Sequence, residues 1–142
     1  MADAYDALKL KNQLCFPLYA AAKEVTGKYK PYLDPLGLTY TQYIAMMVLW
    51  ERKQAGVKEL GEYLYLDSGT LTPLLKRLEA KGFVRRARSP QDERSVTISL
   101  TPEGERLKER AAAIPAQLGG CLPLSQEEAM ALYRLLYKLL AR

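Results

Sequence analysis

The chain has 142 residues, the length of one domain, with 49% hydrophobic and 26% charged residues; that balance is ordinary for a folded globular protein and too apolar for a disordered one. It carries no apolar run near the roughly 20 residues that a membrane-spanning helix needs, and its opening MADAYDALKLKNQL has no basic stretch followed by an apolar block, so neither a membrane span nor a signal peptide is expected and the expected location is the cytoplasm. Two cysteines and no histidine argue against a disulfide scaffold, against Ser-His-Asp and Cys-His catalysis and against the commonest zinc ligand, so no catalytic residue, metal or cofactor is expected and an enzyme is disfavoured.

In chain order, positions 8–33 read as a helix, with Leu14, Leu18, Ala22, Val25 and Tyr29 three or four residues apart. The DPLGL stretch from Asp34 to Leu38 is a breaker. Thr39 or Thr41 then caps a helix carrying Ile44, Met47 and Val48, a turn falls at Ala55-Gly56, and a short helix follows with Val57, Leu60 and Leu64. Asp67 or Ser68 caps the next helix, whose apolar face is Leu71, Leu74, Leu75 and Leu78 and which stops at Lys81-Gly82. Pro73 inside it crowds only Gly69, four residues back, so a bend is expected and not a break.

The period then switches to two. Phe83 to Arg88 and Ser95 to Leu100 flank SPQDER and read as a β-hairpin with a polar tip. Thr101-Pro102-Glu103 opens another helix, interrupted at Pro115 and at Gly119-Gly120. A capping box at Ser125-Gln126-Glu127-Glu128 starts the last helix, with Ala129, Leu132, Leu136 and Leu139. An isolated hairpin is marginal in water, so this one needs the helices or a partner. Helix, turn, helix, hairpin is the order of a winged helix-turn-helix. The fold class is mainly α (α+β), one domain over 1–142. Positions 1–36 and 102–142 supply dimerisation helices and 39–101 the winged helix-turn-helix.

The net charge of +5 is focused: seven basic residues between Lys76 and Arg94 (Lys76, Arg77, Lys81, Arg85, Arg86, Arg88, Arg94) face three acids (Glu79, Asp92, Glu93), leaving +4 in one short stretch. By itself such a patch is either a solvated surface or a footprint for phosphate. Its setting favours double-stranded DNA. The second helix of a helix-turn-helix enters the major groove by its N-terminal residues, here Ser68, Thr70 and Thr72, with Lys76 and Arg77 a turn later. Hydroxyls reach base edges and phosphates, and Arg and Lys reach guanine edges or phosphates. Arg86 and Arg88 lie on a hairpin strand; Arg94 at the tip suits a narrow minor groove, with Asp92 beside it to orient the guanidinium. The blander alternative makes Ser68 and Thr70 capping or solvated positions and the Asp92–Arg94 pair an ordinary surface ion pair.

The run LDSGTLTPLLKRLEAKGFVRRARSPQDERSVTISLTPEG resembles the recognition helix and wing of the MarR family. The run LKLKNQLCFPLYAAAKEVTGKYKPYLDPLGLTYTQYIAMMVLWE resembles the branch of that family known as the OhrR, or organic-hydroperoxide-responsive, repressors. The resemblance implies a homodimer on a pseudopalindromic operator, released when organic hydroperoxide oxidises an N-terminal cysteine that matches Cys15. It implies that Tyr29 and Tyr40, with Tyr19 as a further candidate, hydrogen-bond the thiolate. It also implies that either a small thiol or a C-terminal cysteine, which Cys121 resembles, completes the oxidation by a disulfide. Pro17 departs from the pattern, standing where a good helix former is expected.

The residues alone say less. A sensing thiol must ionise and be reachable. Asn12 is a competent cap that would put Cys15 in the first turn of a helix, with Tyr19 on the same face. Tyr29 lies fourteen residues on, about 21 Å along a continuous helix, so any contact with Cys15 must come from the other subunit. A lone cysteine on an apolar face is more often a small buried hydrophobe, and Cys121 reads equally as an incidental loop thiol. Two rival readings remain: a MarR-type regulator released by a small aromatic ligand, and a thiol peroxidase, which the missing histidine and the basic hairpin disfavour.

Overall fold

The computed structural model describes residues 3–92 and 94–141, so the Glu93 of the charge count lies outside the described residues. Two short 3-10 turns, Asp6–Leu8 and Leu10–Asn12, precede α1 (Cys15–Gly27) and the single-turn α2 (Lys30–Leu33). A further 3-10 turn, Asp34–Leu36, leads to α3 (Tyr40–Arg52), β1 (Gln54–Gly56), α4 (Val57–Leu64) and α5 (Ser68–Ala80). The hairpin strands β2 (Val84–Arg88) and β3 (Val96–Leu100) follow, then α6 (Pro102–Ala111), α7 (Ile114–Gly119) and α8 (Gln126–Leu140).

The helix expected over 8–33 is therefore broken. Pro31 has no N–H to give the Gly27 carbonyl, so α1 ends at Gly27 and α2 restarts with Pro31 in its first turn. Asn12 does not cap α1; its side-chain amide donates to the Asp6 carbonyl at 2.8 Å, and α1 starts from Leu14 without a side-chain cap. Pro17 is then the third residue of α1, among the first-turn N–H groups that have no intrahelical acceptor, which accommodates it.

The turn expected at Ala55-Gly56 is a strand. The sheet has order β1-β3-β2, all antiparallel, and Ile98 pairs with Ala55 on one side and Arg86 on the other. The hairpin thus gains its support from a third strand. The caps are local: Thr39 and Gln42 form a capping box, Asp67 accepts from the Thr70 N–H, Thr101 accepts from the Gly104 N–H, and Ser125 and Glu128 form a second box. Gly82, at φ +81°, ends α5 in the left-handed region that a side chain disfavours.

One apolar core joins Leu33, Met46, Leu49, Leu60, Leu71, Leu75, Leu78 and Ile98. It packs α5 against α3, α4 and the sheet. α1 and α8 bury no residue in the single chain. Among the described residues no helix is long and apolar enough to cross a membrane.

Candidate nucleic-acid interface and thiol centre

The turn between α4 and α5 is tight: Tyr65 ends α4 at φ +56°, a left-handed conformation uncommon for a large side chain, and Asp67 caps α5 through a 2.8 Å bond from the Thr70 N–H. That cap leaves Ser68, Gly69 and Thr70 exposed at the start of α5. Ser68 and Thr72 line a cleft of about 850 Å³ with Tyr65, Lys58, Arg86 and Arg94. Thr70 and Arg77 line a second cleft with Thr39 and Thr41, and Lys76 is exposed on α5. Ser68 and Thr72 thus flank the buried leucines on one side and Thr70 and Arg77 on the other.

In the wing, Arg86 shares the strand face of the buried Val84 and so turns back toward α5. There its Nε donates to Glu79 Oε1 at 3.1 Å and its backbone N–H to Oε2 at 3.3 Å. Arg86 thus ties wing to helix, a partner that sequence reading missed, and no local spacing announces it. Arg88 is exposed further out, opposite Val96. At the tip, Asp92 does not take the Arg94 guanidinium. Its oxygens accept from the Arg94 backbone N–H at 3.0 Å and the Ser95 hydroxyl at 3.1 Å, so it shapes the turn and leaves the exposed Arg94 side chain projecting. Lys81 closes the other end of α5, donating to the Gly37 carbonyl and to Gln42 Oε1 at 2.8 Å.

The thiols lie elsewhere. Cys15 is the first residue of α1 and exposed. Tyr19 is exposed one turn on, with the Lys23 ammonium 5.4 Å from its ring centre. Tyr29 and Tyr40 are together, ring centres 4.9 Å apart, and Tyr43 joins them at 5.6 Å from Tyr29. Tyr43 was not among the expected residues, although its position one turn after Tyr40 marks it. Burial raises the Tyr29 phenol above its ordinary range, with Tyr40 and Tyr43 adding to the effect, and burial raises Tyr40 and Tyr43 as well. These phenols hold their protons, which leaves their hydroxyls available as donors. The twelve residue steps of α1 span about 18 Å, so this cluster lies a helix length from the Cys15 of its own chain. Cys121 is exposed just after α7, its Sγ 3.5 Å from Tyr32 Oη. Among the described residues no group of three or more Cys, Asp or Glu side chains is placed to hold a metal ion.

The chain matches the family described as transcriptional regulator SarA/Rot over residues 28–111. It is 53% identical over 140 residues to an organic hydroperoxide resistance transcriptional regulator of Bacillus subtilis, covering 99% of this chain and 95% of that protein. Among solved structures, reduced AbfR bound to DNA is 35% identical with a TM-score of 0.79, covering 95% of this chain and 94% of that one. Disulfide-formed AbfR is 36% identical with a TM-score of 0.66, covering 95% of each. AbfR is a protein of Staphylococcus epidermidis.

Proposed function

The chain belongs to the SarA/Rot family of MarR-like winged-helix transcriptional regulators, and from that premise we propose that it is a dimeric repressor released from operator DNA when organic hydroperoxide oxidises Cys15. The observation that carries the reading is the placement of Cys15: exposed at the start of a helix that buries no residue, in a chain whose half-buried phenol cluster lies beyond its reach. A dimer joins the two. Packing α1 of one subunit against the other brings Cys15 to Tyr29 and Tyr40 of the partner subunit, and Tyr19 flanks it. The similarity to a hydroperoxide resistance regulator supports the choice of oxidant.

The chemistry is short. The Cys15 thiolate attacks the distal peroxide oxygen, the O–O bond breaks, the alkoxide leaves and takes a proton from water to become the alcohol, and sulfenic acid remains. Phenol donors arranged for an anionic sulfur then face a neutral S–OH. Cys121 of the partner subunit attacks that sulfur, and water leaves as the disulfide forms. DNA contact rests on Ser68, Thr70 and Thr72 at base edges, on Lys76, Arg77, Arg88 and Arg94 at phosphates and in the minor groove, and on Arg86 and Asp92 as supports of the wing. The bonded rearrangement at the dimer contact changes the spacing of two α5 helices that must meet half-sites roughly 34–36 Å apart.

The test starts from duplexes selected by the reduced protein from a randomised pool. Cumene hydroperoxide is expected to release them from the wild type, and Cys15→Ser is expected to bind equally and to ignore the peroxide. Full release from Cys15→Ser contradicts the reading.

A further inference from the structure

Cys121 Sγ has two partners in its own subunit: Tyr32 Oη at 3.5 Å and the Gln117 carbonyl oxygen at 3.4 Å. A carbonyl only accepts, so the one thiol hydrogen goes to Gln117 and Tyr32 donates its own hydrogen to the sulfur. The Tyr32 phenol is accordingly raised above its ordinary range, chiefly by that hydrogen bond.

Tyr32 follows Tyr29 by three residues, and its N–H donates to the Tyr29 carbonyl at 2.9 Å. Side chains so related are neighbours, about 5–6 Å apart at Cβ. Tyr29 is in turn packed on Tyr40 and Tyr43 of α3. α2 and its N-cap residue therefore carry, three positions apart, the phenol assigned above to the partner's Cys15 and the phenol in contact with Cys121. The Cys121 backbone adds a third tie, its N–H donating to the Leu118 carbonyl at 2.9 Å behind a buried Leu118.

We propose that Tyr32 is the positioning residue for the resolving thiol, holding Cys121 Sγ beside the Tyr29 site where the oxidised Cys15 of the other subunit is received. The inference rests on the disulfide step of the proposed function. In that step the S–S bond forms, the S–O bond of the sulfenic acid breaks, and hydroxide departs with the Cys121 proton as water. No oxidant beyond the original organic hydroperoxide is consumed. Tyr32 takes no proton and forms no covalent bond to either sulfur; it shortens the search of a thiol that follows Gly119 and Gly120.

The test uses the full chain, wild type, Tyr32→Phe and Cys121→Ser, each given one equivalent of cumene hydroperoxide. Timed samples are split between a sulfenic-acid trap and non-reducing intact mass. Tyr32→Phe is expected to form sulfenic acid at the wild-type rate and covalent dimer roughly two- to tenfold more slowly, the range of one net hydrogen bond. Cys121→Ser sets the zero for dimer. Covalent dimer from Tyr32→Phe at the wild-type rate or faster overturns the proposal, and so does a matching slowdown of sulfenic acid formation, which marks a general structural defect. If the wild type itself forms no covalent dimer, the underlying disulfide reading fails and Tyr32 loses its role with it; if the wild type dimerises and Tyr32→Phe keeps pace, only the Tyr32 assignment fails.

Discussion

At the wing tip, Asp92 spends both carboxylate oxygens on the turn, one on the Arg94 N–H and one on the Ser95 hydroxyl. Arg94 is exposed there, while Arg86 is drawn back onto Glu79. The two arginines should therefore behave differently. Arg94→Ala is expected to weaken duplex binding across all sequences and to lower the slope of log Kd against log salt by about one, measured by fluorescence anisotropy at several salt concentrations. An unchanged slope removes Arg94 from the phosphate or minor-groove contacts. The basic residues of α5, its C-cap and the wing were legible as a group, because seven of them crowd into one run. Their division of labour was not, since the Arg86–Glu79 pair joins a strand to a helix and depends on which strand face meets α5. The caps at Thr39, Asp67, Thr101 and Ser125 were readable to within a residue or two for the opposite reason: each acts on backbone three residues away.

Among the elements, α5 and the hairpin match their sequence signatures closely, because period and terminators agree there. The amino-terminal segment does not. Its apolar spacing runs on through Tyr29, yet Pro31 removes the bond that would continue α1, and the short strand β1 carries too few residues to show a period. The break matters for the thiol centre, since it turns Tyr29 onto Tyr40 and Tyr43 of α3. Those phenols are raised by burial in the folded chain, whereas an unfolded tyrosine titrates near about pH 10. The unfolded chain thus gives up these protons first as pH rises. Their contribution to stability is whole below about pH 10 and is lost as pH climbs through the folded values. Urea midpoints are expected to stay level from about pH 7 to 9 and to fall above about pH 10, with Tyr40→Phe removing part of the fall. A fall of the same size in Tyr40→Phe would take Tyr40 out of the effect.

For the whole molecule, the informative feature is what one chain leaves uncovered. α8 exposes Leu132, Tyr133, Leu135 and Leu139, and the amino-terminal segment exposes Leu14, Phe16 and Leu18; apolar surface of this extent on terminal helices is an interface signature. Sequence periodicity marked α8 as one-sided but could not show that its apolar side faces away from the core. Because Leu135 and Leu139 are 61% and 67% exposed in the single chain, replacing both with Lys is expected to spare folding and to yield a monomer in sedimentation experiments, with DNA affinity falling as the two half-sites lose their link. A dimer that survives both substitutions places the interface elsewhere. The most direct measurement is the oxidation state of Cys15 by mass, taken at intervals from the same reaction in which labelled duplex is followed by anisotropy during hydroperoxide addition. Release should track the fraction of Cys15 oxidised and reverse with dithiothreitol where that fraction is a disulfide. Duplex that stays bound to fully oxidised protein, or leaves while Cys15 is still a thiol, contradicts a switch built on this sulfur.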